Sequence, residues 1–391
     1  MPSAAKPADI KALSGARALP ALMIVLFHFC TFHHYVPAAA VLGPLITKGY
    51  LWVEFFFALS GFILIHVYGA RAAEFWHGGA FLPFLKARLA RLYPIHLFTL
   101  LTMLLLMLAL NALAEANGYV SIYRGTDAPM NTWPSFVANL FLVQAWNTVQ
   151  GLSWNTAAWF ISIEFLLCLL FPVYVLLSRG GAWRGVLLIV TGIAWLILLS
   201  WNSQIGLDIT FRNGMFRGMA GFAIGTGTAM VYRAAIKAGA GTLSEWKHSA
   251  AQAVLLVFFV WAIWFSGPAH TRSDMWTALA LDAFVLALAF DRGFVARFLS
   301  SAAMRKLGEW SYGIYMGQMF WMQFARHLEQ RHFPSPQTIV LGMRFDEVIA
   351  WAEPLAVLLV CIGWGALLAT FIEHPANATL RRLFAQRKLA A

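Results

Sequence analysis

The 391-residue chain is 60% hydrophobic and 12% charged, with a mean hydropathy of +0.69. These values exclude an ordinary soluble globular domain and point to an integral membrane protein. The formal net charge of +11 invites a nucleic-acid reading, so the placement of the charges has to decide what the sign means.

Apolar segments run over 18–37, 51–70, 92–113, 157–177, 185–201, 215–231, 251–266, 275–290, 311–328 and 351–372. Each is close to the 17 to 25 residues that cross a hydrocarbon core. The pattern predicts an all-α polytopic membrane protein with about ten transmembrane helices. "WPSFVANLFLVQAW" (133–146) is too short and too polar for a further span and is expected to be re-entrant or interfacial. The first span follows Lys6, Lys11 and Arg17 and precedes "VPAAAVLG", the outline of a cleavable signal peptide. Its length, and the interruptions at His28, His33 and His34, favour an uncleaved span.

With the N-terminus inside, the inner segments are 1–17, 71–91, 178–184, 232–250, 291–310 and 373–391. They hold 20 of the 28 Lys and Arg, so the positive-inside rule puts both termini in the cytoplasm. The positive charge is topology, and the lipid bilayer rather than a nucleic acid is the expected partner. The 17 Trp and 32 Phe suit lipid-facing and interfacial surfaces. Cys30, Cys168 and Cys361 lie in apolar runs outside any CxxC or Cys/His cluster, so neither a disulfide nor a bound metal is expected. One membrane domain is expected over 1–391, with 1–17 and 373–391 as cytoplasmic tails; the long outer loop 114–156 is a natural lid or acceptor site.

Ionisable groups within spans are functional suspects, and four constellations carry them. Arg17 and His28 are eleven residues apart, 20° from a whole number of helical turns, so both face one way about 16 Å apart along the axis. Pro20, between them, is placed to kink that helix. "YLWVEFFFALSGFIL" holds Glu54 near the outer end of the second span, then Ser60-Gly61, a small pair that lets another backbone approach. "FLKARLARLYPIHL" sets Arg88 and Arg91 one turn apart at the cytoplasmic mouth of the third span. "NTAAWFISIEFLLCLLFP" buries Ser162 and Glu164.

Each has a structural reading: His28 as a tie between helices, Arg88 and Arg91 as positive-inside residues, Glu54 and Glu164 as partners of buried arginines. Together they describe more. Two guanidiniums form a fork suited to phosphates, and a titratable imidazole lies near mid-membrane. That combination suits a polyanionic cofactor handled from inside and proton chemistry in the membrane.

At these residues the chain resembles the membrane-bound acyltransferase 3 family. Arg17 to His28 is similar to the family's opening Arg and His, eleven residues apart. "EFFFALSGFIL" is similar to its "DLFFVLSGFLI", "RLARLYP" to its RxxRxxP, and "SIEFLLCLLFP" to its "SVEEQFYLLFP". "SYGIYMGQ" (311–318) is similar to "SYSIYLWH", and "IEHPANATLRR" to the closing E-x-P…RR. Three positions depart from the pattern. Met316-Gly317-Gln318 replaces the stretch ending in a histidine, Glu164 stands where many relatives have two acidic residues, and Pro20 replaces a small aliphatic residue.

The resemblance implies an enzyme of the bacterial inner membrane that moves an acyl group, commonly acetyl, from cytoplasmic acyl-CoA to a hydroxyl of a glycan or other envelope molecule outside. Arg17, Arg88 and Arg91 are then the donor-binding cations and His28 the catalytic base, with Glu54 or Glu164 as its orienting carboxylate. A transporter or flippase of an anionic or glycan substrate is the rival reading, but neither a two-fold repeat nor matched Gly/Pro-broken spans are present. No Rossmann fingerprint or P-loop offers a soluble type of nucleotide site.

Overall fold

Pro20 shapes the first span. Its ring nitrogen has no hydrogen to give the carbonyl of Ala16, and the ring crowds that carbonyl. In the computed structural model the helix breaks at Arg17, giving α1 (Lys11–Ala16) and α2 (Ala18–Phe32). The structure describes residues 9–32, 43–71, 74–75, 79–117, 130–332, 339–340 and 343–386. The expectations for 1–8, 33–42, 118–129 and 387–391, including nearly all of "VPAAAVLG", lie outside the described residues.

The remaining main helices are α3 (Trp52–Tyr68), α4 (Phe81–Ala116), α5 (Trp133–Leu140), α6 (Trp159–Leu177), α7 (Ala182–Trp201), α8 (Gly214–Lys237), α9 (Glu245–Trp264), α10 (Asp274–Ala289), α11 (Phe294–Leu299), α12 (Ala302–His332), α13 (Phe345–Leu368) and α14 (His374–Gln386). Among the described residues the only strands are a two-residue antiparallel pair, β1 (Ile339–Val340) and β2 (Met343–Arg344). The molecule is an all-α polytopic membrane protein.

Every expected span coincides with a helix over its described residues, but among the described residues seven helices are long and apolar enough to cross a bilayer. The segments over 215–231, 275–290 and 311–328 are α8, α10 and part of α12, which fall short of that standard. The 16 residues of α10 rise only about 24 Å, less than the ~30 Å core. Much of α8 is buried against other helices, and a helix surrounded by protein has no need of a lipid-compatible surface.

Two helices approach to backbone contact. A Cβ added to Gly61 on α3 would lie 2.3 Å from the Phe222 carbonyl oxygen of α8, and one added to Gly225 would lie 1.9 Å from the Ala58 carbonyl oxygen. Only hydrogen fits at these positions, the small-residue packing expected between membrane helices. An ion pair locks the same two helices. Arg217 Nε donates to Glu54 Oε1, while its Nη1 and Nη2 donate to the carbonyls of Ile209 (3.1 Å) and Tyr50 (2.9 Å).

Helix α4 has 36 residues, about 54 Å at the helical rise, so it outruns a bilayer core and carries Arg88 and Arg91 near one end. The segment 130–158 runs back along α4. Asn131 Nδ2 meets Met107 Sδ, Asn139 O lies 2.8 Å from His96 Nε2, and Leu140 O accepts from Tyr93 Oη. It therefore follows α4 over fourteen residues, about 21 Å, before Asn155 Nδ2 returns to Thr99 Oγ1. Helix α5 begins in a capping box, with Thr132 and Ser135 exchanging backbone and side-chain bonds. Eight residues make it about 12 Å long, too short to span.

Candidate active site

A cavity of about 90 Å³ lies where α3, α4, α6 and α12 meet the α1–α2 break. Its wall includes Arg17, Arg88, Arg91, Glu164, Ser60 and Tyr312. The local structure explains each placement. Arg17 comes from the break that Pro20 imposes, and Arg88 and Arg91 occupy successive turns of one face of α4. Glu164 enters from the second turn of α6. Three guanidiniums thus share the wall with one carboxylate.

The carboxylate is held in place. Ser60 Oγ, beside the close-packing Gly61, donates to Glu164 Oε1 at 2.7 Å, and Glu164 Oε2 is buried without a hydrogen-bond partner. Arg88 Nε is likewise buried and unpartnered, with the guanidinium 5.8 Å from the Phe84 ring centre. Among the described residues none of the three arginines lies within ion-pair distance of a carboxylate. Like-charged groups gathered without partners do not stabilise a fold; they suit a polyanionic ligand.

Two tyrosines of α12 brace the wall. Tyr312 Oη donates to the Leu92 carbonyl, one residue past Arg91, and Tyr315 Oη donates to the Ala157 carbonyl at 2.9 Å. Phe56, Phe160 and Tyr315 stand in mutual ring contact at 5.7 to 6.2 Å, and all three line the cavity.

His28 is outside the lining of this cavity. Its Nδ1 lies 3.1 Å from Gln318 Oε1, and Gln318 Nε2 donates to the Tyr315 carbonyl at 2.8 Å. The second contact fixes the first. A carbonyl oxygen only accepts, so the amide nitrogen of Gln318 faces Tyr315 and its oxygen faces the imidazole. In neutral His28 the proton is then on Nδ1 and the lone pair on Nε2. His28 is thereby coupled through one amide to Tyr315, a residue of the arginine cavity.

Of the residues singled out in the sequence, Arg17, Arg88, Arg91 and Glu164 come together, and His28 stands behind them through Gln318. Glu54 does not join them. It is fully buried with Arg217, between α3 and α8, as a partner of a buried arginine. Arg217, Tyr312 and Tyr315 were not singled out, and Ser60 was singled out only as part of a close-packing pair. For Arg217 a signal existed: a guanidinium inside the expected span 215–231 and a carboxylate inside 51–70 each need a partner. Among the described residues no group of three or more His, Cys, Asp or Glu is placed to hold a metal, and the three cysteines are unbridged.

The chain is 25% identical to the acyltransferase MdmB of Streptomyces mycarofaciens over 399 aligned positions, covering 95% of this chain and 93% of the relative. It is 44% identical to protein 2 in the picA locus of Rhizobium radiobacter over 87 positions, covering 22% of this chain and 39% of that protein. No solved structure matches the chain. The model of the acyltransferase domain matches residues 10–372, the interval from the start of α1 to the turn before α14 that contains every residue of the cavity, and the chain therefore belongs to the acyltransferase 3 family.

Proposed function

We propose that this protein transfers an acyl group, commonly acetyl, from cytoplasmic acyl-CoA to a hydroxyl of a glycan or other envelope molecule on the outer side of the bacterial inner membrane. Residues 1–391 act as one membrane domain with both termini in the cytoplasm. The observation that carries this reading is the cavity in which Arg17, Arg88 and Arg91 face a single carboxylate, Glu164. Coenzyme A brings several phosphate charges, and guanidiniums recognise phosphates through paired, charge-assisted hydrogen bonds.

In the transfer itself His28 Nε2 accepts the proton of the acceptor hydroxyl as the oxygen attacks the thioester carbonyl. The tetrahedral intermediate collapses with cleavage of the carbon–sulfur bond, and the imidazolium returns the proton to the departing CoA thiolate. Gln318 holds the imidazole through Nδ1, so the lone pair is presented on the nitrogen that reacts; a base in this position contributes roughly 10² to 10⁴-fold. Ser60 holds Glu164, whose carboxylate offsets part of the positive charge of the arginine cavity, and Glu54 acts through the fold by holding Arg217.

The test is to supply membranes containing the protein with acetyl-CoA labelled in the acetyl group. Base-labile label is expected in an envelope fraction, and none with the Arg88→Ala, Arg91→Ala double variant. Movement of an envelope glycan or anion across the membrane with no covalent label would overturn acyl transfer and restore the transporter reading.

A further inference from the structure

A second cavity lies at the start of α6 and takes no part in the chemistry described above. It is lined by Asn139, Gln144, Asn155, Ser153 and Thr156, with the rings of Trp159 and Phe211. Its volume is about 10 Å³, room for about one water-sized or hydroxyl-sized group.

The three amides share an unusual state. Each side chain is at least 95% buried, and each carbonyl oxygen, Asn139 Oδ1, Gln144 Oε1 and Asn155 Oδ1, has no hydrogen-bond partner. The orientation of each amide is determined by its other end. Asn139 Nδ2 donates to the Ser135 carbonyl at 2.9 Å, Gln144 Nε2 to the Ala158 carbonyl at 3.0 Å, and Asn155 Nδ2 to the Met316 carbonyl at 2.9 Å. Backbone carbonyls only accept, so none of the three can be turned round, and the oxygens are left for a donor. Buried polar atoms in native proteins are nearly always paired. Three residues that line one cavity thus each carry an unpaired buried acceptor, which calls for a ligand that donates.

The wall selects the class of donor. No residue on it is ionisable, so it offers a cation no counter-charge, and an anion would meet oxygens. A neutral O–H fits, and the aromatic faces of Trp159 and Phe211 supply the apolar side of such a site. Placement points the same way. Trp159 lines this cavity, whereas the next two residues of α6, Phe160 and Ile161, line the arginine cavity. Asn147 and Asn213 clasp the segment 130–158 to the loop before α8, with Asn213 N donating to Asn147 Oδ1 at 2.7 Å and Asn147 Nδ2 donating to Asn213 Oδ1 at 3.3 Å.

We infer that Asn139, Gln144 and Asn155 form a binding subsite for a hydroxyl of the acceptor, a polyhydroxylated, sugar-like molecule, one turn of α6 from the donor cavity. This rests on the acyl-transfer reading and adds to it the residues that recognise the acceptor. A site built to receive a hydroxyl discriminates strongly against molecules that lack one, because its buried acceptors are then left unpaired.

The experiment uses the reconstituted full chain, labelled acetyl-CoA and a total envelope-glycan extract, and measures the extract concentration that half-saturates transfer. Gln144→Met removes one acceptor oxygen and is expected to raise that concentration about tenfold, leaving acetyl-CoA affinity within twofold. Asn155→Leu, which also removes an acceptor oxygen, serves in the same way if Gln144→Met does not fold. Unchanged acceptor saturation in a folded Gln144→Met protein, the result expected of a cavity that holds only a structural water, overturns the subsite while acyl transfer stands. Failure of the wild type to label any fraction overturns the transfer reading itself.

Discussion

Neutralising one cavity arginine is expected to weaken donor binding while leaving the empty protein at least as stable. Arg88 and Arg91 are one turn apart on α4, about 5–6 Å at Cβ. Two guanidiniums about 6 Å apart repel by roughly 3 kcal/mol at an effective dielectric of ~20. Arg17 faces the same cavity, and Glu164, the only carboxylate among the described residues of its wall, offsets part of this. Arg91→Gln therefore relieves strain in the unliganded protein. In the complex it removes charge-assisted hydrogen bonds of about 1.5–3 kcal/mol, a loss of roughly ten- to a hundredfold in affinity. Calorimetric titration of the purified protein with acetyl-CoA reads the affinity, and thermal unfolding without ligand reads the stability, both at fixed salt because exposed phosphate contacts are screened. The expected pair of results is a raised Kd with an unchanged or higher Tm. A variant that melts earlier and binds acetyl-CoA as the wild type does would show that Arg91 is a structural prop and refute the donor assignment.

Three further outcomes are expected. Glu54→Gln or Arg217→Met leaves one member of a fully buried pair uncompensated and costs about 3–5 kcal/mol of stability; thermal unfolding measures this, and acetyl-CoA affinity of the folded fraction stays near wild type. Gly225→Val drives a side chain into the Ala58 carbonyl, 1.9 Å from the new Cβ, whereas a Cβ on Gly363 meets nothing within 4 Å; the first variant is expected to lose most folded protein in membrane extracts and Gly363→Ala to match the wild type. Reporter fusions after residues 125, 208 and 340 read as external and those after 80, 240 and 391 as internal, and a consistently inverted loop refutes that topology.

The sequence made the arginine half of the site legible because local rules govern it. Residues three apart share a helix face, which pairs Arg88 with Arg91, and a proline three residues on breaks the helix at Arg17. Ser60-Gly61 announced a close backbone approach, and the structure puts Gly61 against α8 while Ser60 holds Glu164. What stayed hidden depends on pairings distant in the chain. Gln318 is 290 residues from His28 and Arg217 is 163 from Glu54, and no periodicity announces such contacts. Asn139, Gln144 and Asn155 were hidden for another reason. Neutral amides carry no charge or spacing signal, and their significance appears only when their nitrogens are seen pinned and their oxygens unpaired. The length of α4 was underread, since hydropathy marks its apolar stretch and not the basic turns that continue the same helix.

The central claim is that His28 removes the proton from the acceptor hydroxyl. The most direct measurement compares wild type and His28→Ala for transfer of label from acetyl-CoA to the envelope acceptor, with acetyl-CoA affinity and thermal stability determined on the same preparations. The account predicts transfer reduced by at least 10²-fold, with affinity and stability near wild type. Full transfer by His28→Ala, or a loss of transfer matched by a loss of folded protein, contradicts it.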